Sequence, residues 1–127
     1  MGYTIGKRYT FCAGHWIPGL PDGHRCGRQH GHNYTVEAVV EADQLTDQGF
    51  VTDFAELAPL KRYLDETFDH QNLNDAFDVP PTSEHLAAHL AGWFVRELEP
   101  RIAGRLVAVR VSETDTSWAE YRPDRSS

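Results

Sequence analysis

The chain is poor in cysteine, poor in basic residues and free of long apolar runs, and each shortage excludes a class. Its 127 residues carry two cysteines, Cys12 and Cys26, too few for the disulfide framework of a small secreted scaffold. Both are expected to be reduced thiols of a cytoplasmic protein. The 12 Lys and Arg are outnumbered by 19 Asp and Glu, for a formal net charge of −7. No nucleic-acid partner is expected, because such binders carry a basic patch, and no anionic membrane surface is expected either. The longest apolar stretch, Leu86 to Val95, is interrupted by His89 and falls short of the ~18 residues a membrane-spanning helix needs. The first residues lack the apolar region of a secretory signal. The length suits one domain over residues 1–127. What the chain does have is histidine: His15, His24, His30 and His32, four of its seven, fall within eighteen residues.

Hydrophobic period divides the chain into elements. Residues 3–15 alternate, with Tyr3, Ile5, Tyr9, Phe11 and Ala13 on one parity and Lys7 as the exception, which predicts a half-buried strand. Pro18, Gly19, Pro21, Asp22 and Gly23 mark residues 16–25 as a loop. Residues 30–41 alternate again, with Tyr34, Val36, Ala38 and Val40 on one face. Asp53 and Glu56 open a helix with the stripe Phe54, Leu57, Leu60, Leu64 and Phe68. Pro59 there implies a kink or a later start. Pro80 to Glu84 open a second helix with Leu86, Leu90, Trp93, Phe94 and Leu98 as its apolar stripe and His89 on its surface. Val107, Val109 and Val111 share a parity in a third strand, and residues 118–121 give a weaker fourth. The order β-β-α-α-β-β with short connections predicts an α+β sheet with helices on one face.

The ends of the apolar rows carry the chemistry. The row through Phe11 and Ala13 ends in His15, the row from Val40 back to Tyr34 ends in His32 and His30, and the row Val107, Val109, Val111 ends in Glu113. Residues two apart lie on one face of a strand, so without a bulge the rows terminate at one shared edge of the core. Three neutral imidazoles there suit Zn²⁺ and leave a fourth position open. Cys26 lies between Arg25 and, two residues on, Arg28, and cations favour its thiolate. It serves as a base or nucleophile, or else as a fourth zinc ligand closing a structural site. Cys12 reads as a small packing residue. Asp69-His70 is an acid–imidazole pair suited to proton transfer. Glu113 either pairs with a cation or accepts two hydrogen bonds from a flat, guanidine-like ligand edge. His24 and His85 have no comparable context, and their roles stay open on this reading.

Taken together, Phe11-Cys-Ala-Gly-His15, Cys26-Gly-Arg-Gln-His30-Gly-His32, Val51-Thr-Asp53-Phe54, Phe68-Asp69-His70-Gln-Asn-Leu73-Asn74, Pro81-Thr82-Ser83-Glu84 and Val111-Ser-Glu113-Thr114 resemble the 6-pyruvoyltetrahydropterin synthase / 6-carboxytetrahydropterin synthase family. The resemblance implies the tunnelling fold, a four-stranded antiparallel sheet with two helices on one face. It also implies homotrimers or hexamers with active sites between subunits. By that likeness His15, His30 and His32 are the zinc ligands. Cys26 is the general base, with Asp69 and His70 completing a proton relay. Glu113 anchors the pterin's amino-pyrimidinone edge, and Thr82, Ser83 and Glu84 line that pocket. The gap between Cys26 and His30 resembles the 6-carboxytetrahydropterin synthase branch of queuosine and deazapurine biosynthesis. The implied reaction is a lyase step from 7,8-dihydroneopterin triphosphate to 6-carboxy-5,6,7,8-tetrahydropterin, with loss of acetaldehyde and triphosphate. The alternative is a pyruvoyl-type or related side-chain lyase, motivated by His85, which stands where many members carry Asn.

Overall fold

The computed structural model describes residues 2–125; Met1, Ser126 and Ser127, the ends of the expected 1–127 domain, lie outside the described residues. Strand β1 (Tyr3–His15) pairs antiparallel with β2 (His30–Ala42) along their whole length, from Tyr3 opposite Ala42 to His15 opposite His30. The register follows from burial. Phe11, Ala13, Tyr34, Val36, Ala38 and Val40 all turn to one face and are buried, and a slip by one residue would turn each of them to the other face.

The sheet has five strands rather than four, in the order β3-β1-β2-β4-β5. The extra strand, β3 (Gln71–Asn72), runs parallel to the end of β1. Two residues are too few to show an alternation, so hydrophobic pattern does not mark it. The last two strands, β4 (Arg105–Thr114) and β5 (Ser117–Tyr121), match their expected places. The valine row in β4 does need correction. The register shifts between Val39 and Val40, where Val39 faces Ala108 and Val40 faces Leu106. This bulge leaves Val107 only partly buried and gives its core place to Leu106. The row Val109, Val111, Glu113 beyond it keeps its parity.

Helix α1 (Ala58–Thr67) starts after a 3-10 turn, Phe54–Leu57, capped by Asp53, whose Oδ1 accepts from Ala55 N–H at 3.0 Å. Pro59 therefore sits in the first turn, where a missing N–H costs nothing, so the later start is the observed outcome. A short helix, α2 (Leu73–Ala76), is too brief to show a helical period in sequence. Helix α3 (Ser83–Trp93) is capped by Thr82 and runs on through one wide turn, Phe94–Leu98, and a 3-10 turn, Glu99–Arg101. Leu60 and Leu64 of α1 and Leu86, Leu90 and Phe94 of the α3 segment bury themselves against the sheet's apolar face.

His89 is also corrected. It is not a free surface residue. Its ring packs between Tyr63, Phe68 and Phe77, its Nε2 lies 2.7 Å from the Tyr63 hydroxyl, and burial pulls its pKa below the usual histidine range. The opposite sheet face carries charge instead. Arg8, Glu37, Arg110 and Glu120 alternate in sign across β1, β2, β4 and β5, and Arg122 just after β5 continues the alternation, with N···O distances from 2.6 to 3.2 Å.

Candidate metal centre and active-site cavity

The rows converge where the sequence places them. His15 faces His30 across the β1–β2 ladder, and His32 follows two residues along the same face. The three rings lie with centroids 4.5, 5.0 and 4.7 Å apart, and their ligating atoms fall within 4.8 Å of one another.

Hydrogen bonds fix which nitrogen is free in two of the three rings. His15 Nδ1 lies 2.8 Å from the Pro81 carbonyl and His30 Nδ1 lies 2.6 Å from the Arg28 carbonyl. A carbonyl only accepts, so each Nδ1 carries the hydrogen and each Nε2 presents a lone pair. This is the outer-shell arrangement that orients imidazole ligands. The Tyr34 hydroxyl, 3.1 Å from the same His15 Nδ1, closes the site from the core side. Burial holds His32 below the ordinary histidine pKa, with the other two rings adding to the effect and Glu113 opposing it, so the neutral, ligating form is favoured.

Among the described residues, the buried side-chain polar atoms without a hydrogen-bond partner are His15 Nε2 and His32 Nε2. Buried polar atoms ordinarily find partners. Two orphaned ring nitrogens, within 4.8 Å of each other and of a third imidazole nitrogen, fit a divalent metal with a preference for nitrogen.

The triad forms the floor of a cavity of about 890 Å³ lined also by Arg25, Cys26, Thr82, Ser83, Glu84, Glu113 and Trp118. Thr82 and Ser83 arrive there because the start of α3 abuts the end of β1, the contact made by Pro81 and His15. Glu113 stands beside the triad, its Oε2 3.3 Å from His32 Nε2. Its other oxygen accepts from Ser83 Oγ at 3.0 Å. Cys26 shares the cavity but is not among the residues whose ligating atoms cluster.

Asp69 and His70 lie elsewhere. His70 lines a second cavity of about 470 Å³ with Cys12, Gly14, Asn33 and Gln71, and Gly31 and His32 line both cavities. The His70 backbone is held at φ 59°, a strained region for a non-glycine residue. Its Nδ1 lies 2.9 Å from Asp69 Oδ2. The Cys12 backbone N–H donates to Asp69 Oδ1 at 2.9 Å and is the chief reason that carboxyl titrates below the usual range, with His70 adding to it. One chain thus holds the triad and Cys26 in one cavity, while His70 lines a second cavity that shares His32 with the first.

Cys12 is corrected here: it is exposed, not packed, and its thiol donates to Asn33 Oδ1 at 2.9 Å. Its parity, opposite to that of His15, already placed it on the outer face. Trp118 was missed as a cavity residue, since it does not lie at the end of an apolar row.

A family model described as 6-pyruvoyl tetrahydropterin synthase matches residues 4–124. The 6-carboxy-5,6,7,8-tetrahydropterin synthase of Synechocystis is 36% identical over 131 residues, covering 98% of this chain and 97% of its own. That of Bacillus subtilis is 34% identical over 133 residues, covering 97% and 87%. The solved 6-pyruvoyl tetrahydropterin synthase of Caenorhabditis elegans superposes with a TM-score of 0.82 at 23% identity, covering 98% of this chain and 97% of that one.

Proposed function

The chain belongs to the 6-pyruvoyl tetrahydropterin synthase family, a family of enzymes, and from that premise we propose that it is a pterin side-chain lyase. The substrates are 7,8-dihydroneopterin triphosphate and one water, and the products are 6-carboxy-5,6,7,8-tetrahydropterin, acetaldehyde and triphosphate. The observation that carries this reading is the convergence of His15, His30 and His32 on the floor of the cavity that Cys26 and Glu113 also line. The Cys26-x₃-His30-Gly-His32 spacing and the names of the two bacterial relatives favour the carboxy branch.

His15, His30 and His32 would hold Zn²⁺, which when bound supplies positive charge to the substrate's side-chain oxygens. The flat ring edge takes its place from Glu113. A carboxylate accepts two parallel N–H bonds, and Ser83 Oγ, donating to Oε1, restrains its rotation. Thr82 and Glu84 complete that wall. Cys26 Sγ takes a proton from the substrate's side chain, helped by the neighbouring Arg25, which also offers charge to the triphosphate. Asp69 and His70 return protons. Because His70 lines the second cavity and neither residue lines the first, the working site is completed by a second copy of the chain, in a homotrimer or hexamer.

Zinc-loaded protein incubated with 7,8-dihydroneopterin triphosphate is expected to release acetaldehyde and a pterin with a one-carbon side chain by mass spectrometry. No acetaldehyde, with a pterin that keeps a three-carbon side chain, would instead establish the pyruvoyl-type reaction.

A further inference from the structure

The loop between β1 and β2 shows no period in sequence, yet it is tied at definite points. The Ile17 N–H donates to the Cys26 carbonyl at 2.7 Å. Three further bonds meet at His24. Its N–H donates to the Pro21 carbonyl at 3.1 Å. This closes a β-turn whose third residue, Gly23, lies at φ 84°, a position that type II turns reserve for glycine. The His24 carbonyl accepts from Gly27 N–H at 3.0 Å, and its Nδ1 accepts from Cys26 N–H at 3.1 Å. That last bond caps the 3-10 turn Arg25–Gly27, which carries Cys26.

We propose that His24 is a positioning residue for Cys26. Its ring nitrogen fixes the backbone of the turn and so sets where the thiol stands in the cavity above the three histidines. The inference rests on the reading of Cys26 as the base. The tautomers separate His24 from its clustered neighbours. His15 and His30 carry hydrogen on Nδ1 and offer Nε2, whereas His24 must keep Nδ1 bare and carry hydrogen on Nε2. A neutral imidazole used this way has no lone pair left for a metal. In asparagine the acceptor Oδ1 is bonded to Cγ, as Nδ1 is in histidine. The substitution His24→Asn would therefore reproduce the same bond to the N–H two residues on, the ordinary Asx-turn geometry.

The test compares His24→Ala, His24→Asn and Cys26→Ala as zinc-loaded proteins, reading kcat, KM, zinc content and the thermal midpoint. In His24→Ala, kcat is expected to fall on the order of 10- to 100-fold, as for other small misplacements of a reacting group, with KM, zinc content and midpoint little changed. His24→Asn is expected to recover most of the lost kcat. The proposal is overturned if His24→Ala keeps wild-type kcat, if His24→Asn loses as much as His24→Ala, or if His24→Ala loses zinc and fold together with activity. Cys26→Ala separates this from the premise: an inactive Cys26→Ala beside a fully active His24→Ala sinks the role of His24 alone, while an active Cys26→Ala sinks the base itself.

Discussion

At the scale of residues, the three imidazoles and the thiol have different environments and therefore different expected failures. His15 and His30 are oriented by the carbonyls of Pro81 and Arg28, and His15 and His32 leave orphaned Nε2 atoms. Removing one ring takes away a ligand and should cost the metal first. Cys26 lies outside the ligating cluster, so removing its sulfur should spare the metal. We expect His32→Ala to lose bound zinc and activity in parallel. Cys26→Ala should keep full zinc occupancy while kcat falls by roughly 10²- to 10⁴-fold, the range for loss of a positioned acid or base. Zinc counted by atomic absorption alongside turnover checks both. Zinc lost with Cys26 would convert the thiol into a fourth ligand and the site into a structural one.

At the scale of elements, His89 shows how a helix position is misread. It follows Leu86 and precedes Leu90 on α3, and nothing in that period says that an aromatic wall from α1 and the following segment will close over it. Tyr63, Phe68 and Phe77 provide that wall only after the chain folds. The strand ends were legible for the opposite reason: each row's apolar and polar members alternate in sequence, so the convergence of His15, His30 and His32 follows from parity alone. The bulge at Val107 and the two-residue strand β3 were not legible, because each is set by a partner strand. The His89 environment also has a pH signature. Burial and Arg96 both favour the neutral ring, so the folded chain binds this proton more weakly than the unfolded one. Its stabilising contribution is complete above the ordinary histidine pKa of about 6.5 and is lost as pH falls through the lower folded value. Urea midpoints measured at pH 5 and 7.5 should therefore drop more on acidification in the wild type than in His89→Phe, where this group no longer titrates. Equal drops would mean that His89 is not held neutral by its packing.

At the scale of the whole molecule, the chain distributes its functional groups over two cavities and two sheet faces. The helices cover one face; the other bears the alternating ladder Arg8, Glu37, Arg110, Glu120, Arg122. Among the described residues, Trp118 and Tyr121 on the edge strand β5 are large apolar side chains left 63% and 41% exposed. An apolar sheet edge exposed in this way is a template for association with another chain. With Cys26 in one cavity and His70 in the other, a site built between copies needs one cavity from each. Complementation tests this directly. Cys26→Ala and His70→Ala proteins should each be inactive. Unfolded together in equal amounts and refolded, they should recover about a quarter of wild-type activity, because each site between symmetric subunits needs an intact thiol from one copy and an intact imidazole from its neighbour. A mixture as inactive as its parents, despite mixed oligomers detected by native mass spectrometry, would place Cys26 and His70 of the same chain in one site and require the 65–75 segment to move toward the triad.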